Sequence, residues 1–258
     1  MTPFLRRFGL VLAVLLIAGA APASHAILAT MPISRLDLPW WKARHEAVLE
    51  RLRHGPVDLL FLGDSITQNW ERTGPPEWAD YQPIWRHFYG DRNAVNAGFV
   101  GDTTASLIWR IRNGEVAGIA PRVVIVLIGA NNLGRLHWNA EDTLAGIDTI
   151  LTDLKKRLPT TKILLIGVLP SDRSAWATST TLTINAALKT RYGHSAEIAY
   201  VDPTPVFTRD GKLLRDLFYD PMQSPGAAPL HPTAQGMEKL ARTIEPTLAR
   251  LMQMLEKQ

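Results

Sequence analysis

The stretch "RVVIVLIGANN", Arg122 to Asn132, joins an unbroken apolar run to a polar turn that contains a glycine. The run is rich in valine and isoleucine and does not alternate apolar with polar residues, so it predicts a strand covered on both faces. A strand of that kind needs helices above and below its sheet, which strand–helix–strand crossovers supply. This one segment therefore predicts a parallel sheet in a layered α/β domain.

Runs of the same type lie on both sides of it. "VDLLFLG" (57–63) and "AVNAGF" (94–99) precede it, and "KILLIGVLP" (162–170) and "EIAYVDP" (197–203) follow. Helical patterns separate them. "AEDTLAGIDTILTDLKKRL" (140–158) carries an apolar stripe of Leu144, Ile147, Leu151, Leu154 and Leu158. Upstream, "LPWWKARHEAVLERLRHG" (38–55) places Trp41, Val48, Leu49 and Leu52 on one side of a helix that ends at Gly55. A last helix begins near Thr233 and carries Met237, Leu240 and Ile244, and Pro246 is expected to kink or divide it. The alternation predicts one doubly wound parallel sheet of five strands, with no repeat or linker dividing it.

At 258 residues and 46% hydrophobic, the chain is long enough for one substantial core. The first 26 residues read differently. Arg6 and Arg7 precede an apolar run from Phe8 to Ala21, and small residues lead to Ser24-His25-Ala26, the layout of a secretory signal peptide. The run is shorter than the roughly 20 residues of a membrane span, so cleavage after Ala26 is expected, leaving residues 27–258 as the domain. Without Arg6 and Arg7 the formal charge falls from +4 to +2. The remaining basic residues are dispersed, which gives no electrostatic footprint for nucleic acid. An exported chain with no cysteine fits a bacterial periplasm or a secreted protein.

In a doubly wound sheet the ligand site lies beyond the carboxyl ends of the strands. There the first strand ends in "GDSITQNW" (63–70), the second in "NAGFVGDTT" (96–104) and the third in "GANN" (129–132). Acyl transfer is the chemistry that needs such a set. A serine hydroxyl attacks well only when a base takes its proton, and the tetrahedral intermediate needs donors aimed at its oxyanion. The Ser65 and Gly101 backbone N–H groups and the Asn131 amide can be those donors. His231, in a loop after the last strand, is the candidate base.

These four blocks, ending with "LHPTAQG" (230–236), resemble in order and spacing the blocks of the SGNH (GDSL-type) hydrolases. Within that family the segment from Gly101 to Asn132 is most similar to the platelet-activating-factor acetylhydrolase catalytic subunits, and the likeness runs from about Trp40 to Leu251. The resemblance implies a flavodoxin-like three-layer α/β/α sandwich. It also implies Ser65 as nucleophile, His231 as base, Ser65, Gly101 and Asn131 as the oxyanion hole, and no metal or organic cofactor. The subgroup's habit of pairing makes a homodimer the assembly to test.

One departure stands out. The family places an aspartate three residues before the histidine, where it holds the imidazole in its working tautomer; here position 228 is alanine. A second alignment puts Asp220 of "DLFYD" (216–220) in that role, with "PMQSPGAA" (221–228) as an insertion rich in turn-forming residues. Asp220 is favoured, and Asp216 or no carboxylate at all are the alternatives.

Other residues get plainer readings. Asp64 and Asp102 are expected to brace backbone N–H groups at the turns. His137 borders the site but reads first as a surface residue, and His45, His54, His87 and His194 read as solvated or packing residues. No H-E-x-x-H or similar metal-ligand spacing occurs. Trp70, Trp138 and Trp176 follow site-side strand ends, where each ring either packs the rim or, if exposed, can stack on a sugar face. Together these features predict an exported serine esterase that removes a small acyl group, acetyl above all, from a carbohydrate or polyol ester. The alternatives are an O-acetyltransferase, a lysophospholipase-like enzyme, or a non-catalytic carbohydrate-binding accessory of an envelope polysaccharide system.

Overall fold

The computed structural model describes residues 27–218 and 230–253 of the 258-residue chain. Five parallel strands form its sheet: β1 (Leu59–Gly63), β2 (Ala94–Gly98), β3 (Val123–Leu127), β4 (Lys162–Ile166) and β5 (Ile198–Val201), in the order β2-β1-β3-β4-β5. Every side chain of β1 and β3 is buried, as two-sided coverage requires. Each fully buried Val, Leu or Ile contributes roughly 1.5–3 kcal/mol of hydrophobic stabilisation.

Helices α1 (Pro39–Arg53), α2 (Ser65–Gln68), α3 (Gln82–Tyr89), α4 (Thr104–Arg110), α5 (Ala130–Gly134), α6 (Ala140–Arg157), α7 (Ala175–Tyr192), α8 (Thr204–Phe207) and α9 (Ala234–Gln253) join and cover the strands. Because β1 lies between β2 and β3, the crossover to β2 runs opposite to those that add β3, β4 and β5. Right-handed crossovers then deposit helices on both faces. On one face α9 lies against β3, β4 and β5 and beside α3; on the other α4, α6 and α7 pack in succession, with α1 beside β2. The result is the expected flavodoxin-like α/β/α sandwich.

Local signals set the helix ends. The Asn139 side chain accepts from Asp142 N–H to cap α6, Glu141 and Asp142 sit in its first turn, and Lys155, Lys156 and Arg157 in its last, each sign matched to the helix dipole. Pro246 does not divide α9 as its sequence suggests. The helix runs unbroken from Ala234 to Gln253 because Pro246 lies on the solvent face, where the carbonyl it leaves unpaired meets water, while Ile244, Leu248 and Leu251 keep the buried face continuous. The sequence patterns also pass over a small antiparallel ribbon, β6 (Thr208–Arg209) and β7 (Lys212–Leu213). Its Asp210-Gly211 turn has positive φ at both residues, the signature of a tight hairpin.

Strand register positions the site. Gly63 pairs with Gly98 on one side and with Leu127 on the other, so the turns that follow β1, β2 and β3 start at one level. That level is the topological switch point, where chain direction across the sheet reverses and a crevice opens.

Candidate active site

Ser65 is the first residue of α2, directly beyond β1, and is buried to 7% exposure. Asp64 turns the strand into the helix, its Oδ1 accepting from Ile66 N–H at 2.9 Å. Burial outweighs that hydrogen bond and pushes the Asp64 carboxyl up to about 7. A side chain on Gly63 would collide with Thr67 and with the Leu127 carbonyl, so only glycine lets β1 and α2 meet this closely.

The imidazole of His231 arrives from the far end of the chain, with Nε2 at 2.8 Å from Ser65 Oγ. Three contacts hold its backbone. Phe218 and Pro232 form an antiparallel bridge, Thr233 N–H donates to Leu217 O at 2.8 Å, and Tyr81 Oη donates to Pro232 O at 2.8 Å. Asp220 and Ala228 lie outside the described residues. Asp216 is exposed in a 3₁₀ turn.

Gly101 sits in the turn after β2 with φ of +74°, a conformation that favours glycine. Phe99 N–H donates to Gly63 O at 3.1 Å and Val100 N–H to Gln68 Oε1 at 2.8 Å, which fasten this turn against the end of β1 and against α2. Buried Asn131, in α5 after β3, donates from Nδ2 to Asp102 O at 3.0 Å. Its amide has two N–H groups, so one remains for another acceptor. Asn132 has a separate task. Its Oδ1 accepts from Thr104 N–H and its Nδ2 donates to Thr104 Oγ1, tying α5 to the start of α4.

A buried ionic chain that sequence reasoning missed lies beneath these turns. Arg110 is fully buried and donates to Asp102 Oδ2 at 2.7 Å, to the Ala97 and Gly63 carbonyls at 3.1 Å each, and to Glu115. Glu115 also meets His45 Nδ1 at 3.0 Å. The guanidinium lies over Phe99, its carbon 4.0 Å from the ring centroid. Asp102 departs from the expected brace to backbone N–H groups. Its carboxylate instead takes side-chain donors, Arg35 Nη1 and Trp41 Nε1 at 2.8 Å each besides Arg110. Burial pushes the Asp102 carboxyl up and Arg110 counters it. The available signal was an arginine eight residues after Asp102 on an otherwise buried helix face.

The three tryptophans separate. Trp70 is 3% exposed and packs against Trp85 and Tyr89, so the expectation of a ring open to sugar fails: its helix turn faces the core. Trp176 is 40% exposed in the first turn of α7, with its ring 5.6 Å from that of His137. Trp138 lines a cavity beside Gly101. His137 is an exposed residue with φ of +53°, and it is His231 that meets Ser65. His54, His87 and His194 are exposed, while His45 is buried. Among the described residues no helix is long and apolar enough to cross a membrane, and no cluster of His, Cys, Asp or Glu has metal-holding geometry.

Comparison with known proteins gives concordant results. The GDSL-like Lipase/Acylhydrolase family profile matches residues 61–239. Platelet-activating factor acetylhydrolase IB subunit alpha2 of Homo sapiens is 30% identical over 216 residues, covering 83% of this chain and 85% of the relative. Among solved structures, a GDSL-like lipase from Bacteroides thetaiotaomicron superposes with a TM-score of 0.62 at 19% identity, over 81% of this chain and 98% of the other. A carbohydrate esterase family 3 protein from Talaromyces cellulolyticus does so at 0.54 and 20%, over 76% and 98%.

Proposed function

The chain belongs to the GDSL-like lipase/acylhydrolase family and hydrolyses ester bonds, and from that premise we propose a serine esterase that removes an acetyl group from a carbohydrate or polyol. The observation that carries the mechanism is the 2.8 Å contact between Ser65 Oγ and His231 Nε2, residues 166 positions apart.

In this reading Ser65 Oγ attacks the ester carbonyl carbon as His231 Nε2 takes its proton. The oxyanion that forms accepts from the Ser65 and Gly101 N–H groups and from the second Asn131 amide N–H. Collapse breaks the bond to the alcohol oxygen, which leaves with the proton from His231. Water, deprotonated by the same imidazole, then attacks the acyl-serine, releases acetate and restores Ser65.

Asp220 is the proposed carboxylate partner of the His231 ring. Phe218 and Pro232 are bridged, and Asp220 follows Phe218 by two residues while His231 precedes Pro232 by one. That short separation along the chain from the bridge supports the assignment.

A carbohydrate substrate is supported by the exposed Trp176, by the half-buried Trp138 that lines the cavity beside Gly101, and by the shared fold of a carbohydrate esterase. Export after cleavage at Ala26 accords with the charged, apolar and small-residue order of residues 1–26. A second reading, an ester of an amphiphile, is favoured by exposed Ile33, Val100 and Leu136 near Gly101.

Hydrolysis of p-nitrophenyl acetate tests the core of the proposal. Ser65→Ala is expected to lower kcat by at least about a thousandfold. Equal rates for variant and wild type would return the chain to a non-catalytic binding role. A screen of acetylated oligosaccharides against lysophospholipids separates the two substrate readings.

A further inference from the structure

We propose that the cavity beside Gly101 is a subsite for an oxyanion, a carboxylate or phosphate, on the alcohol portion of the substrate, with Arg135 as its receptor. This inference rests on the esterase reading above for the place of the reacting ester. The cavity has a volume of about 200 Å³ and is lined by Ile33, Arg35, Gly101, Arg135, Leu136 and Trp138, among others.

Arg135 closes α5, four residues after Asn131. Its guanidinium lies against Gly101 so tightly that any Cβ there would collide with it. The residue is exposed, and among the described residues no hydrogen bond or ion pair engages its side chain. Neighbouring cations are placed otherwise. Arg35 is bound to Asp102 and to the Val100 carbonyl, and Arg44 to Glu71. Arg173, on the other flank of α5, bonds the Ala130 carbonyl and Ser171 Oγ, with no directly bonded carboxylate among the described residues, though the Asp64 carboxyl acts on it through space. At the cavity, Arg135 thus presents positive charge that no contact neutralises among the described residues.

A guanidinium offers a planar fork of donors that matches a carboxylate or phosphate in shape and charge. Acetyl carries no charge, so an anion recognised here belongs to the alcohol. The apolar sides of the cavity, Ile33, Leu136 and Trp138, suit the carbon skeleton that bears it.

The experiment compares 4-acetoxybenzoate and 4-acetoxyphenyl phosphate with neutral methyl 4-acetoxybenzoate. Wild type is expected to favour at least one charged ester by about tenfold in kcat/KM, the scale of one hydrogen bond to a charged group. Whichever anion is preferred identifies the oxyanion. That preference should shrink in high salt and collapse toward unity in Arg135→Gln. It should survive in Arg86→Gln, a charge removed from exposed α3, and in part in Arg135→Lys. Calorimetry on Ser65→Ala protein reads binding without turnover, so absence of hydrolysis with retained anion preference would sink the esterase reading alone. Equal Kd values for charged and neutral esters, or the same preference in Arg135→Gln as in wild type, would overturn the subsite and leave Arg135 a solvated surface residue.

Discussion

The buried guanidinium of Arg110 donates to the carbonyl oxygen of Gly63 at 3.1 Å, two residues before Ser65. The same side chain holds Ala97 O at the end of β2 and the carboxylate of Asp102, whose own carbonyl receives the Asn131 amide. One cation therefore ties together the turns after β1, β2 and β3. Arg110→Met should cost about 3–5 kcal/mol, because Asp102 and Glu115 would stay buried without their shared cation. Arg110→Lys keeps the charge but cannot span four acceptors, so it should recover part of the stability and less of the kcat. Urea unfolding beside p-nitrophenyl acetate turnover measures both, and full recovery of kcat by lysine would remove Arg110 as a positioning residue.

Removing the Asn131 amide deletes one expected oxyanion donor and its tie to Asp102. Asn131→Ala should lower kcat by about 10²–10³ with a smaller change in KM. Single-turnover kinetics on p-nitrophenyl acetate reads this directly. A change confined to KM would assign Asn131 to substrate binding instead.

Asp64 gives a pH dependence of stability with a definite sign. Burial raises its carboxyl from 3.8 to about 7 in the folded protein, so the folded state holds a proton that the unfolded chain releases. Its stabilising contribution is complete below 3.8 and is lost as pH rises toward and through about 7. Asp64→Asn keeps an acceptor for Ile66 N–H and removes the titration. Melting curves from pH 4 to 8 should therefore show the variant gaining on wild type as pH rises. A constant difference across that range would contradict the assignment.

For the carboxylate that orients His231, Asp220→Asn should reduce kcat by up to about 10⁴ with little effect on the melting temperature. Asp216→Asn, in an exposed turn, is the matched comparison. An unchanged rate in the first, or the larger loss in the second, would reassign the acid.

Much of this architecture is legible in the one-dimensional pattern. Five unalternating apolar runs predicted five strands at nearly the observed bounds, and strand ends rich in Gly, Ser and Asn marked the site, because backbone geometry and two-sided burial leave local signatures. The sequence leaves Trp70 open because a ring after a site-side turn can face either way, and packing against Trp85 and Tyr89 decides for the core. At Pro246 the expected division of the helix does not occur, because the effect of a proline depends on which face of α9 meets solvent.

By itself the sequence determined the fold class, the family and the identity of the groups at three strand ends, since each rests on residue type and short-range spacing. Only the tertiary structure decided which groups meet. It brought His231 to Ser65 across 166 positions, joined Arg110, Asp102, Glu115 and His45 in one buried chain, and set the Arg135 guanidinium against Gly101. Those contacts depend on strand register and crossover direction, which sum over the whole chain and leave no mark at any single residue.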